Sequence, residues 1–329
     1  MLRKLIVGSN SKFLGTAVKI ILVRLKIGRL GEKSHYPYRV RVILAESVPQ
    51  VPFVSDELIQ SDLISIMIPC VEKDLPFLPT CIEGVNRNVQ NSIDKISVIT
   101  NCPELVRSVV GPKIEIITEV DFLPKSIRTF ISDNIPKSIQ GWVTKQIIVM
   151  YFAYESVLDG VLTIDADTIL LSPRKFLNGE KQVIIPVVEY AYHDAITSHK
   201  TWKTSGISLG ISFKAHHMLM KPKVVREMFD SLGGFERGSL DWLSSTLNAE
   251  WLPFSEFHSY ATWILNRYPD QVELARWGNV RASRSIMETN LYAEKPIQLY
   301  DFIENYFPTY NSVSFHHYLP DDFVELKKS

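Results

Sequence analysis

The stretch "VLTIDADTILLS", Val161 to Ser172, sets an apolar run against two aspartates one residue apart. Val161 to Ile164 has the length and apolar continuity of a strand buried on both faces, and Asp165 and Asp167 fall where such a strand leaves its sheet. Residues two apart on a strand point the same way. The two carboxylates are therefore expected to address one point beyond the strand's C-terminal edge, where α/β sheets place their ligands. Such hard oxygen donors suit Mg²⁺ or Mn²⁺, with substrate phosphates supplying the missing oxygens. As an isolated string, a solvated strand-end turn is the plainer reading, so the surrounding sequence has to decide.

Upstream, residues 139–158 ("IQGWVTKQIIVMYFAYESVL") have the length and apolar density of a largely buried helix, closed by Asp159-Gly160. Further back, "DLISIMIPC" (62–70) is a buried-type strand, and "FLPTCIEGVNRNV" (77–89) follows it at helical spacing. A second unit repeats the order: strand "KISVITN" (95–101), helix "PELVRSVVG" ended by Gly111, then strand "KIEIITE" (113–119). Strands alternating with helices imply an α/β layer with a mainly parallel sheet. Downstream, "QVIIPVVEY" (182–190) and "GISLGISF" (206–213) read as strands and 223–232 as a helix, while the aromatic-rich last third resists parsing.

The bulk numbers are those of a globular protein: 329 residues, 46% hydrophobic, with 36 basic and 36 acidic side chains cancelling. That balance argues against nucleic acid as a main partner. The distribution is less even, because residues 1–46 carry ten Lys/Arg against Glu32 and Glu46, which is +8 and leaves −8 for the rest. Within that arm Leu14, Val18, Ile21, Leu22 and Leu25 keep helical spacing, and Lys12, Lys19, Lys26 and Lys33 recur every seven residues on another face. Two readings stand: an amphipathic helix on an anionic membrane surface, or one packed on the body with its lysines solvated. "SVPQVPFVSDE" (47–57) reads as a connector, so the expected division is a basic arm, 1–46, and one α/β domain, 47–329. No apolar stretch reaches the roughly 18–20 residues of a membrane span, and no signal-peptide cleavage site is apparent. Three scattered cysteines suggest a reducing cytosol, with the arm making the protein peripheral on the inner face of the membrane if it binds lipid.

The order of strand, helix and Asp-X-Asp resembles the GT-A glycosyltransferases, whose nucleotide-binding half ends in this motif. The similarity runs from about Asp62 to the C-terminus. It is nearest to a family of unknown function of GT-A-like proteins found among bacterial glycan-synthesis genes. The residues that carry it are "IPCVEKDLPFL", "GWVTKQ", "LTIDADT", "SFKAHHML", "FSEFHSY" and "SFHHY". The resemblance implies a metal-dependent transferase that moves a sugar from a nucleotide-sugar donor to a glycan or lipid-linked acceptor. Asp165 and Asp167 would take Mn²⁺ or Mg²⁺ and the donor diphosphate. The loop after the first strand, with Pro69, Val71, Lys73 and Asp74, would lie against base, ribose and phosphate. The alternative for Lys73 and Asp74 is an exposed salt pair.

Trp142 and Gln146 share a helix face. Trp142 reads as a core aromatic before a sugar platform, and Gln146, which needs a hydrogen-bond partner in an apolar helix, is the better site candidate. Histidine pairs occur at His216-His217 and His316-His317, and adjacent strand residues face opposite ways, so at most one of each pair reaches a shared site. The resemblance implies a third metal ligand near the end of the fold, for which His317 is the expected residue, with His316 beside it. Glu256, among aromatics, is the expected base on the acceptor hydroxyl, or else a first-turn glutamate behind a Ser255 cap. His258 stands where the family pattern would carry another acid.

"IDADTIL" also matches the first motif of haloacid-dehalogenase-like phosphatases, with Asp165 as nucleophile and Asp167 as general acid. That fold opens with this strand, whereas here about 160 residues of α/β pattern precede it. A third alternative is an inactive glycan-binding or membrane-tethering scaffold.

Overall fold

The structure is a computed structural model that describes residues 62–187, 201–202, 212–247, 255–287, 298–316 and 319. The basic arm, the connector and His317 lie outside the described residues.

The two strand-helix units form as the periodicity predicts: β1 (Leu63–Cys70), α1 (Leu78–Asn88), β2 (Ser92–Thr100), α2 (Pro103–Val109) and β3 (Glu115–Thr118). Two helices that the sequence reading did not separate follow, α3 (Glu119–Phe122) and α4 (Lys125–Asn134). Pro124 and Pro136 precede α4 and α5 (Lys137–Glu155), each fixing an extended entry into the next helix. After α5 come β4 (Gly160–Ile164), β5 (Thr168–Leu170), β6 (Leu177–Asn178) and β7 (Lys181–Ile184). Of the stretch 206–213 only Ser212 and Phe213 are described, and Ser212 forms an isolated bridge with Val187. The remainder comprises β8 (His217–Met220), α6 (Pro222–Asp230), α7 (Phe235–Leu247), α8 (Glu256–Arg267), β9 (Val272–Leu274), β10 (Asn279–Ser283), α9 (Leu299–Tyr306) and β11 (Ser312–His316).

The main sheet has the order β3-β2-β1-β4-β8. It is parallel except for β8, which pairs with β4 antiparallel at the edge. Alternation along the strands sorts their side chains between two cores. On β1, Ile64, Ile66 and Ile68 join α1, whereas Met67 joins the cluster built on α5, α6, α7 and α8. On β4, Leu162 and Ile164 take the α1 side and Val161 the α5 side. Both faces are thus covered, which is why these strands read as unbroken apolar runs.

The chain leaves β1 towards β2 and β3 on one side, then returns to place β4 on the other. The loops after β1 and β4 therefore face each other across the switch point of the sheet, where ligands of α/β folds sit. β5 follows the Asp-X-Asp turn directly and belongs to a second sheet, ordered β10-β11-β5. α1 rests on β5 so closely that a Cβ at Gly84 would meet the Leu170 carbonyl oxygen at 3.0 Å. A larger residue there would push against β5 and the aspartate turn before it. Among the described residues no helix is long and apolar enough to cross a membrane.

Candidate functional site

Asp165 and Asp167 lie on a turn after β4 rather than on the strand, closed by the Thr168 N–H donating to the Asp165 carbonyl at 2.9 Å. The two side chains differ in their nearest partners, yet they stay within electrostatic reach of each other and of His216. Continuing the odd-numbered register of Val161, Asp165 faces α5, where its Oδ1 meets Lys145 Nζ at 2.7 Å. Its Oδ2 lies 3.3 Å from Nδ1 of His216. His216 immediately precedes β8 and has φ 64, a left-handed backbone that lets its carbonyl accept from the Asp165 N–H at 2.9 Å while the ring turns to the carboxylate. His217, the first residue of β8, is buried against Phe176 and Trp277, where burial lowers it to about 4 and keeps it neutral. One member of this pair reaches the site, as the alternation argument expects.

Asp167 has other nearest partners. Its Oδ2 is 3.6 Å from Arg284 Nη2 and 4.0 Å from His316 Nδ1. The second sheet holds it there: the Phe315 N–H donates to the Asp167 carbonyl at 2.9 Å, and Thr168 Oγ1 hydrogen-bonds Ser314 Oγ at 2.8 Å. The His216 and His316 rings meet with centroids 4.9 Å apart, so both strand-end histidines stand over the aspartate turn. His317 lies outside the described residues.

The loop after β1 closes the crevice from the opposite side. Pro69 is the next-to-last residue of β1, in a half-buried position, and Val71 leads into a single 3₁₀ turn, Glu72–Asp74. Arg284, just past β10, ties this loop to the aspartates: Nη2 pairs with Asp74, Nη1 donates to the Lys73 carbonyl at 2.5 Å, and the guanidinium lies 4.8 Å from the centre of the Phe77 ring. The Lys73 side chain is on the exposed rim. Sequence reasoning did not single out Arg284. Its bond to Asp74 spans 210 positions, and nothing in "RASRSIM" distinguishes it from a solvated arginine.

Lys145 is also new to the site, although it lies inside the "GWVTKQ" motif. Besides Asp165 it contacts Glu256 Oε1 at 2.9 Å. Burial works to lower its pKa, but Asp165 and Glu256 outweigh that and hold it charged. Glu256 is 3% exposed at the start of α8, whose cap is Ser255 Oγ accepting from the His258 N–H at 3.2 Å. Gln146 is buried, and its Oε1 accepts the Glu256 N–H at 3.1 Å. Trp142 is 43% exposed and not a core residue.

Electrostatics divide the pair. Burial opposes ionisation of Asp165, but Lys145 and His216 prevail and hold its carboxyl well below the usual carboxylate range. Asp167 is pushed up to about 7 by burial and by the charges of Asp165 and Asp74, with His216 and Arg284 offsetting only part. The donor set suits a divalent ion in kind: carboxylates flanked by imidazoles. Among the described residues, however, no three His, Cys, Asp or Glu side chains converge to enclose an ion. An ion here would complete its shell with ligand oxygens, as hard cations in phosphate sites commonly do.

Residues 89–297 match the family of unknown function DUF6492. The chain belongs to that family. No curated protein matches it in sequence. Among solved structures, mouse xyloside xylosyltransferase 1 in its apo form is similar over 78% of this chain and 99% of that one, at 11% identity and a TM-score of 0.44.

Proposed function

We propose that this DUF6492 protein is a metal-dependent glycosyltransferase that moves a sugar from a nucleotide-sugar donor to a glycan or lipid-linked acceptor. The observation that carries the reading is the placement of the Asp165–Asp167 turn opposite the Val71–Asp74 loop, across the switch point between β1 and β4. Arg284, from beyond β10, brings a cation suited to a diphosphate to one side of that crevice, while Lys145, from α5, pairs with Asp165 on the other.

In this reading Asp167 and His316, with Asp165 and His216 beside them, hold Mn²⁺ or Mg²⁺. The ion, when bound, neutralises charge that gathers on the departing diphosphate. Arg284 binds the diphosphate once it releases Asp74, and the freed Asp74 accepts from ribose or base. Lys145 keeps Asp165 ionised and fixed. Glu256, with a carboxylate oxygen on Lys145 and its N–H on Gln146, positions that lysine. Almost fully buried and paired with Lys145, Glu256 serves in this reading as a positioning residue rather than as the base on the acceptor hydroxyl. The cytosolic face of a membrane and contact of residues 1–46 with anionic lipid remain part of the proposal.

Donor hydrolysis with and without Mn²⁺ tests it, using wild type and Asp167→Ala on a panel of uridine and guanosine diphosphate sugars. Stimulation by Mn²⁺ that drops about 100-fold or more in the variant is expected. Hydrolysis indifferent to both metal and mutation overturns the reading. Turnover of a generic phosphate ester with a phosphoryl group trapped on Asp165 would instead establish the phosphatase. Glycan binding without either activity would establish the scaffold.

A further inference from the structure

Trp142 differs from the other described tryptophans. Trp202, Trp242, Trp263 and Trp277 are at most 6% exposed, whereas Trp142 keeps 43% of its surface in water. Removing an indole from water stabilises strongly, so a tryptophan left exposed beside a crevice is the informative exception.

Its place on α5 gives it a direction. From Glu155 back to Lys145 the helix spans roughly 15 Å, and from Gly160 forward to Asp165 the strand spans roughly 17 Å, so helix and strand run antiparallel and Lys145 meets Asp165 at the sheet's C-terminal edge. Trp142, three residues nearer the helix start, stands roughly 4.5 Å further out, past that edge. Ser138, Gly141, Trp142 and Lys145 follow the spacing of one helical stripe. Ser138 is exposed, and a Cβ added at Gly141 would meet nothing within 4 Å. The stripe thus runs from open surface with small side chains, past an indole, to the lysine that grips Asp165. It lies on the α5 flank of Asp165, away from the Asp74–Arg284 side where the proposed donor diphosphate sits.

We propose that Trp142, with Ser138 and Gly141 leaving room beside it, is the acceptor subsite: a platform for the apolar C–H face of a pyranose ring, next to the turn that carries Asp165. A saccharide ring has one face rich in C–H groups and hydroxyls around its edge, which matches an indole bordered by polar side chains. This assignment rests on the transferase reading and names the chemistry of its acceptor.

The probes are the methyl β-glycosides of glucose, galactose and xylose, titrated into the full-length protein while tryptophan fluorescence is quenched with iodide. At least one glycoside should shield wild type from quenching and leave Trp142→Ala unshielded, with Trp142→Phe tested as a variant that keeps an aromatic platform and the helix intact. In transfer assays with that glycoside, Trp142→Ala should raise the acceptor KM about tenfold and Trp142→Phe by about threefold or less, the change falling on KM rather than kcat. Shielding identical in wild type and Trp142→Ala, or a loss confined to kcat, overturns the subsite. The shielding assay requires neither donor nor turnover. Shielding at Trp142 in a protein that hydrolyses no nucleotide-sugar would therefore sink the transferase reading alone, and turnover without shielding would sink the subsite alone.

Discussion

Asp165 and Asp167 are separated by one alanine, yet the first is held ionised by Lys145 and His216 while the second is pushed up to about 7 by burial and by its acidic neighbours. Asp165 hangs from the main sheet and faces a helix that supplies a half-buried cation. Asp167 is fastened to the second sheet and faces an arginine whose guanidinium Asp74 already holds. The contrast teaches that an Asp-X-Asp motif need not be two equivalent ligands. One carboxylate is part of the scaffold's own charge network, and the other has charge left uncompensated for a ligand to meet.

Removing Lys145 should disturb this division most. Lys145→Met leaves Asp165 with His216 alone and strands Glu256 as a buried carboxylate, and breaking a buried pair in this way costs about 3 kcal/mol. Urea unfolding at pH 7 reads the loss. Lys145→Met combined with Glu256→Gln should recover about 1 kcal/mol, because the stranded charge is gone. A Lys145→Met protein as stable as wild type would show that the pair contributes nothing and that the contrast between the aspartates is not built by Lys145.

The second effect is a dependence on pH with opposite signs at the two residues. Asp167's folded value lies above its unfolded one near 4, so the folded state binds the extra proton between about 4 and 7, and stability falls as pH rises through that window. Asp167→Asn abolishes this fall. At pH 8 the variant should exceed wild type by about 2 kcal/mol, with the gap closing near pH 4. Asp165 behaves conversely: its folded value is depressed, so its contribution is present above about 4 and is lost only as pH falls further. Parallel unfolding curves for wild type and Asp167→Asn from pH 5 to 8 would remove the asymmetry.

The sequence made half of this contrast legible. The buried runs before Cys70 and Ile164, and the long helix between them, were enough to place the aspartates at the end of a sheet strand, because fully covered parallel strands leave unbroken apolar text. Helix α4, β8 at the antiparallel edge and the second sheet were not legible. Their partners lie far away in sequence, as when Ser314 meets Thr168 146 positions earlier. The same distance hides Arg284. The choice between adjacent histidines was half legible: alternation limits each pair to one inward ring, but only the left-handed backbone at residue 216 makes His216 the one.

That backbone supplies the smallest and sharpest test. At φ 64 a non-glycine side chain costs about 1 kcal/mol, and asparagine tolerates the region better than most residues, whereas a β-branched residue is an outlier there. His216→Asn keeps the conformation and a side-chain donor within reach of Asp165, so its stability should stay within about 1 kcal/mol of wild type. His216→Val meets both penalties and should lose about 2 kcal/mol. Equal stability of the two variants would show that neither the backbone conformation nor the donor to Asp165 matters. The ordering Asn above Val, with His216→Gly in between because it suits the backbone but lacks the donor, would show that the left-handed turn at His216 aims a polar side chain at Asp165.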